Sequence, residues 1–206
     1  MADHQPHRVI PLAPKHSSLA GEVLGQAFLD DPVWCELMPD SRTRQSMLAR
    51  MFAGLARTTS AANGIAETTS GIEAVALWLG PGQQVGFWAT VRSGMAMPRF
   101  VMKLPAEDRR KMLAVLQQMD ERREALMPEP HWYLEAIGVE PRHQGAGFGT
   151  ALVRAGLQRA DHDRTSVYLE TETEGNVGYY EHLGFEVVDC SVAVGLDLPI
   201  WHMARL

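Results

Sequence analysis

Cysteine is scarce in this sequence, with only Cys35 and Cys190 among 206 residues. The two are far apart and lack the spacing of metal-binding pairs, which excludes a disulfide scaffold and favours free thiols in a reducing compartment. The eight histidines include no HExxH motif, and His4 and His7 fall in a terminus that we expect to be frayed. The sequence therefore predicts no metal site.

Long apolar runs and an excess of positive charge are also missing. No run reaches the length that crosses a bilayer, and the first ten residues have no apolar signal core, so we expect a cytoplasmic protein with no membrane partner. Lysine and arginine number 19 against 25 acidic residues, a net charge of −6. This charge argues against nucleic acid as a partner and suits a cationic small substrate.

Length and composition indicate one globular domain. A chain of 206 residues, 46% of them hydrophobic, is long enough for one substantial core. No repeat, low-complexity tract or long linker divides it. We expect a single domain over residues 1–206, and the sequence leaves a homodimer open.

The stretch from His131 to Val153 organises the chain. It begins with bulky and β-branched residues over a strand length and is closed by Pro141, which cannot extend a ladder. A glycine-rich turn over residues 144–149 follows, and then apolar residues at helical spacing. Free N–H groups at a helix start, with glycines before them, can bind an anion. The alternative is a turn whose glycines serve only close packing.

Two common nucleotide motifs do not fit this turn. A P-loop needs lysine and then serine or threonine after its last glycine, but Gly149 is followed by Thr150 and Ala151. A dinucleotide fingerprint needs a glycine where Thr150 stands, although Glu170 lies near the position of a ribose-binding acid. Dinucleotide binding therefore remains only as a runner-up.

A different pattern does fit. Gln144-x-x-Gly147-x-Gly149 after a strand resembles the pyrophosphate loop of the GNAT superfamily of acetyltransferases, and Asn176 with the segment from Tyr179 to Phe185 resembles that family's second signature. The resemblance implies acetyl-CoA as the co-substrate and an acetyltransferase as the function. The residues it implies for cofactor binding are Ile137, Gly138, Val139, Gln144, Gly145, Ala146, Gly147, Phe148, Gly149, Thr150, Asn176 and Tyr180.

Within GNAT the pattern is similar to the puromycin N-acetyltransferase-like group. The similarity includes residues 28–32, residues 129–134, residues 138–145 and the tail at 201–205. Glu135 departs from it, because that group has a small apolar residue at this position. The antibiotic itself is therefore not the expected acceptor.

Predicted elements place the motifs in one fold. Strands and helices alternate in a way that predicts an α/β (α+β) fold, a mixed sheet with helices on both faces. The order of the elements resembles the GNAT fold, which implies that the central sheet is mostly antiparallel. Residues 85–127 read as a helical insertion broken around Pro98 and Pro105, with an apolar face formed by Met112, Leu113, Leu116 and Met119. Together with the loop at residues 30–40, this insertion is the expected wall of an acceptor site.

Acetyl transfer to an amine needs a base for the ammonium group and an acid for the leaving thiolate. Tyr180 is the candidate acid, on the same helix face as Asn176, whereas Tyr179 points about 100° away and is expected to pack or face solvent. Glu135 is the candidate base or an acceptor-orienting group, and strand alternation puts it on one face with Tyr133 and Ile137.

Glu170 and Glu172 are weaker candidates for the base, because a solvated rim is the ordinary place for such residues. The sequence thus predicts an acetyl-CoA-dependent N-acetyltransferase that acts on a primary amine of a small molecule. Two alternatives stay open: acetylation of a protein or peptide amine, and a non-catalytic module that binds acyl-CoA.

Overall fold

The computed structural model describes residues 7–86, 90–91 and 93–206. Within these ranges the strands form one seven-stranded sheet of order β1-β2-β3-β4-β5-β7-β6, in which only β4 and β5 run parallel. The strands are β1 Val9–Pro11, β2 Ile65–Thr69, β3 Ala74–Leu79, β4 Trp132–Val139, β5 Val167–Thr171, β6 Glu186–Val192 and β7 Pro199–Arg205.

Helices cover both faces of the sheet, as the sequence predicts, and the fold class is confirmed. The helices are α1 Ser17–Ala27, α2 Pro32–Leu37, α3 Ser41–Ala61, α4 Ala96–Val101, α5 Ala106–Leu126, α6 Phe148–Asp163 and α7 Glu174–Glu181. One core lies between the sheet and helices α1 and α3, around Leu24, Leu48 and Leu77. The other lies under α6, around Trp78 and Leu152.

Strand β4 contains a bulge that decides where its side chains point. Leu77 of β3 pairs with Ala136 and the next residue, Trp78, pairs with Leu134, so Glu135 has no partner on β3. An extra residue of this kind breaks the simple alternation of faces. Ala136 packs with α1 and α3, whereas Ile137 packs in the core under α6. The expectation that Ile137 shares the face of Glu135 is therefore wrong.

Strands β4 and β5 separate soon after they meet. Their pairing consists of Trp132 with Val167 and Tyr133 with Tyr168, and no later pair follows in the described residues. The edge of β4 from Glu135 onward is left without a β5 partner. This opening lies beside the turn that leads into α6.

The segment after α1 differs from the expected loop. Asp31 ends the preceding turn and also caps α2, because its Oδ1 accepts hydrogen bonds from the N–H groups of Val33 and Trp34, at 3.1 and 3.3 Å. Proline at the first helical position suits such a start. Residues 32–37 of the predicted loop are thus helical.

The inserted segment is helical in its described part. Pro98 lies in the first turn of α4, where proline is tolerated, and so does not break a helix; Pro105 is the residue before α5. On α5, Met112 and Val115 are buried whereas Leu113 is 51% exposed, because it lies about 100° around the helix from Met112. Residues 87–89 and 92 of the predicted insertion, and His4, lie outside the described residues.

Candidate active site

The turn before α6 has the geometry of an anion site. Gly145 and Gly147 have φ values of 76° and 89°, in the left-handed region that favours glycine. Among the described residues, no protein acceptor receives a hydrogen bond from the backbone N–H groups of residues 145–150. The positive end of the α6 dipole adds to this row of free donors. Such a turn can hold a pyrophosphate.

Contacts with β4 and α7 tie this turn to the rest of the fold. Gln144 donates from Nε2 to the carbonyl oxygen of Val139 at 3.4 Å and so ties the turn back to β4. A Cβ atom on Gly149 would lie 3.2 Å from Cγ2 of Val139, which explains why glycine fits at this position. The oxygen atoms of Thr150 and Tyr179 are 3.5 Å apart. Tyr179 therefore packs against the turn, which is one of the two placements expected for it.

Tyr180 points the other way, into a cavity of about 490 Å³ that opens between β4, β5 and α7. Its side chain is buried, and its ring makes an edge contact with Phe185 at 5.7 Å between centroids. Burial raises the pKa of the Tyr180 hydroxyl, so the group is protonated at neutral pH. Asn176 lines the same cavity and donates from Nδ2 to Oγ1 of Thr171 at 3.1 Å.

Glu135 lines the cavity at the β4 bulge. Its Oε2 accepts a hydrogen bond from Oγ1 of Thr59 on α3, at 2.6 Å. Burial raises the pKa of Glu135 to about 7, and the Thr59 hydroxyl and the charge of Arg123 partly oppose this rise. A carboxylate with this pKa can take up a proton near neutral pH.

Three further carboxyl groups of the cavity lining have raised pKa values. Burial raises the pKa of Glu170 to about 7 and that of Glu172 to about 8, and for Glu172 the charges of Asp31 and Glu170 add to the rise. The pKa of Asp31 rises to about 6, mainly because the side chain is buried. Glu170 and Glu172 line the cavity and are half-buried, so they do not stand on a fully solvated rim.

A single arginine faces these carboxyl groups among the described residues that line the cavity. Arg123 of α5 stacks over the ring of Tyr133 at 4.3 Å and pairs with Asp120 at 2.7 Å. One guanidinium faces six carboxyl groups, those of Asp31, Asp120, Glu124, Glu135, Glu170 and Glu172, so net negative charge builds up as the pH rises through the raised pKa values. The cavity is therefore acidic.

The described residues contain no group of three or more histidine, cysteine and acidic side chains placed to hold a metal ion. Nor do they contain a helix that is both long and apolar enough to cross a bilayer.

The family comparison agrees with this geometry. The model of the Acetyltransferase (GNAT) family matches residues 100–185, which contain β4, the glycine-rich turn, β5 and α7. This segment of the chain is similar to the GNAT acetyltransferases. The prediction of an acetyl-CoA-dependent N-acetyltransferase is confirmed at this level, whereas membership of the puromycin N-acetyltransferase-like group stays a prediction.

Known acetyltransferases resemble the chain over most of its length. An uncharacterised N-acetyltransferase of Schizosaccharomyces pombe is 28% identical over 173 residues, which are 81% of this chain and 69% of that protein. Two solved structures share the fold. The histone acetyltransferase HPA2-related protein of Corynebacterium glutamicum has a TM-score of 0.68 at 22% identity, covering 98% of this chain and 96% of its own. A Drosophila melanogaster polyamine N-acetyltransferase has a TM-score of 0.60 at 13% identity, covering 97% and 99%.

Two residues of the cavity lie in the segments that the sequence predicts as acceptor walls, residues 30–40 and 85–127, but the sequence does not single them out. Asp31 falls in the predicted loop at residues 30–40, although an aspartate before proline can also cap a following helix. Arg123 lies on a helix rich in charge, and nothing in the sequence distinguishes it from its exposed neighbours. Only the packing of α5 over β4 reveals its place.

Proposed function

We propose that this chain transfers the acetyl group of acetyl-CoA to a primary amine of a small, positively charged molecule. The observation that carries the proposal is the juxtaposition of two features: a turn with free N–H donors at residues 145–150, and an acidic cavity that holds Glu135 and Tyr180. The first suits the pyrophosphate of CoA. The acidic cavity suits a cationic acceptor, and it holds a group that can remove a proton from the amine and a group that can protonate the thiolate.

The opening between β4 and β5 supplies a place for the pantetheine arm. Residues Ile137, Gly138 and Val139 pair with β3 on one side and have no β5 partner on the other. An extended cofactor arm can add to such a free edge as a further strand does. Asn176 stands across the opening, on α7, and offers its amide to the same arm. Because the arm would run from the turn toward Tyr180, it would bring the thioester to the cavity.

Glu135 and Tyr180 then have complementary roles. Glu135 removes a proton from the acceptor ammonium, directly or through a water molecule, and the neutral amine attacks the carbonyl carbon of the thioester. As the carbon–sulfur bond breaks, Tyr180 donates its proton to the departing thiolate, and the attacking nitrogen loses its second proton, which restores the Tyr180 hydroxyl directly or through a water molecule. The raised pKa of Glu135, about 7, favours the first step, and the protonated state of Tyr180 favours the second.

The shape of the cavity favours a small acceptor. Helix α5 and helix α2 form walls over it, and its volume of about 490 Å³ lies in the range of small-molecule sites. A protein substrate would need an open groove for the residues that flank its lysine. Protein acetylation is therefore the second candidate. A non-catalytic acyl-CoA-binding module is the third candidate, and the presence of both Glu135 and Tyr180 in one cavity disfavours it.

The preference for a positively charged acceptor can be tested with three amines of different charge. Thiol release from acetyl-CoA is measured with n-pentylamine, with 1,5-diaminopentane and with 5-aminopentanoate, which share the reacting amine and differ in the far end. We expect the diamine to have the highest kcat/KM and the amino acid the lowest. Equal rates with all three would contradict a charge-selective cavity, and acetylation of peptides alone would favour the second candidate.

A further inference from the structure

His7 lies against the glycine-rich turn, although 139 residues separate it from Ala146 in the chain. Its Nε2 atom is 2.7 Å from the carbonyl oxygen of Ala146. Its ring stacks on that of Phe148, with 3.7 Å between centroids and 21° between planes. The expectation of a frayed terminus is wrong for this residue, because two contacts hold its side chain.

The hydrogen bond fixes the orientation of one peptide group. A carbonyl oxygen only accepts, so the Nε2 atom of His7 carries the proton and donates it. The peptide between Ala146 and Gly147 is trans, and in a trans peptide the C=O and N–H groups point in opposite directions. With the carbonyl held on the His7 side, the N–H group of Gly147 points to the other side, where no described residue accepts it.

Because residue 147 is glycine, the hydrogen bond from His7 matters for the conformation of the turn. With φ at 89°, Gly147 lies in a region where its backbone can rotate more freely than that of other residues. Rotation of the Ala146–Gly147 peptide would turn one donor away from the anion. A contact that holds the carbonyl oxygen therefore preserves the row of N–H groups before the ligand arrives, and preorganisation of this kind increases affinity.

We propose that His7 is a positioning residue for the pyrophosphate of acetyl-CoA, acting through the Ala146–Gly147 peptide. The inference rests on the proposed function, since it needs CoA to bind at this turn. It assigns a role to a residue from the segment before β1, outside both GNAT signatures. His7 supports the donors of the turn and takes no part in acetyl transfer itself.

The test separates the effect of the pyrophosphate from that of the rest of acetyl-CoA. Wild type, His7→Ala and His7→Phe are compared with acetyl-CoA and with acetyl-pantetheine, a thioester that lacks the pyrophosphate. The phenylalanine variant keeps a ring to stack on Phe148 but has no donor for Ala146. His162→Ala, at the exposed far end of α6, is the matched control. Calorimetry gives Kd for CoA, and thiol release gives kcat and KM.

We expect both His7 variants to raise the Kd for CoA and the KM for acetyl-CoA by roughly three- to tenfold, the effect of losing one hydrogen bond. The value of kcat at saturation, and kcat/KM with acetyl-pantetheine, should stay at the wild-type level, as should every constant of His162→Ala. Unchanged CoA affinity in His7→Ala would overturn the inference. So would an equal loss of kcat/KM with acetyl-CoA and with acetyl-pantetheine. If wild type itself binds no CoA, the proposed function fails first.

Discussion

The hydroxyl group of Thr59 lies 2.6 Å from Oε2 of Glu135, and this contact joins helix α3 to the bulge of strand β4. The hydrogen bond stabilises the ionised carboxylate and so lowers its pKa, against the larger effect of burial, which raises that pKa to about 7. Thr59 is thus a group that adjusts the basicity of the proposed base without touching the acceptor.

Thr59→Val removes this hydrogen bond while keeping a β-branched side chain of similar volume. The pKa of Glu135 should then rise further, so the fall in kcat/KM on the acid side should move to higher pH, by roughly one pH unit. The pH profile of wild type and variant on one amine measures this. Thr58→Val is the control, because its hydroxyl bonds to the carbonyl oxygen of Gly54 instead. A profile that moves equally in both variants would mean that helix α3 itself was disturbed.

Glu135→Gln keeps the shape of the side chain and removes the base. We expect a rate loss of about 10²-fold or more at neutral pH. The loss should shrink at alkaline pH, where more of the acceptor amine is already neutral. Rates of both proteins across pH on one acceptor test this. A loss that is constant across pH would indicate that Glu135 positions the acceptor, and no loss would support transfer without a protein base.

Tyr180→Phe removes the proposed acid. Turnover should fall by about 10²- to 10⁴-fold while the affinity for acetyl-CoA stays near that of wild type, because the ring remains packed on Phe185. Tyr179→Phe is the control, since its hydroxyl faces Thr150 and the turn. If Tyr179→Phe loses turnover and Tyr180→Phe keeps it, the two tyrosines have been assigned the wrong way round.

Gly147→Glu places a bulky negative side chain where the pyrophosphate should approach, and at a backbone φ of 89° that favours glycine. Calorimetry should detect no binding of CoA to this variant. Gly147→Ala adds backbone strain without charge, and Gly86→Glu adds the same charge at an open position outside the turn. If Gly147→Glu binds CoA with wild-type affinity, the turn is not part of the cofactor site.

The parts of this site that the sequence could predict are local in the chain. The turn from Gln144 to Thr150 and the pair of Asn176 and Tyr180 follow from spacing on one loop and one helix. Glu135 was found from its strand, but the bulge that separates it from Ile137 depends on pairing with β3 and leaves no mark in the sequence.

The remaining residues meet only through tertiary packing. Asp31 and Glu172 come from distant parts of the chain and share one cavity, and their raised pKa values result from burial that strand and helix patterns do not report. His7 reaches Ala146 across 139 residues. Such contacts depend on how α2, α5 and the segment before β1 pack, which no local pattern specifies.

The most direct test of the central claim follows both products in one sample. Purified protein is incubated with acetyl-CoA and 1,5-diaminopentane, and free thiol and N-acetylated amine are quantified together over time, with Tyr180→Phe as the parallel sample. The account predicts equal amounts of the two products in the wild-type sample and strong loss of both in the variant. Release of thiol without acetylated amine, or no turnover with any amine despite tight binding of acetyl-CoA, would contradict it.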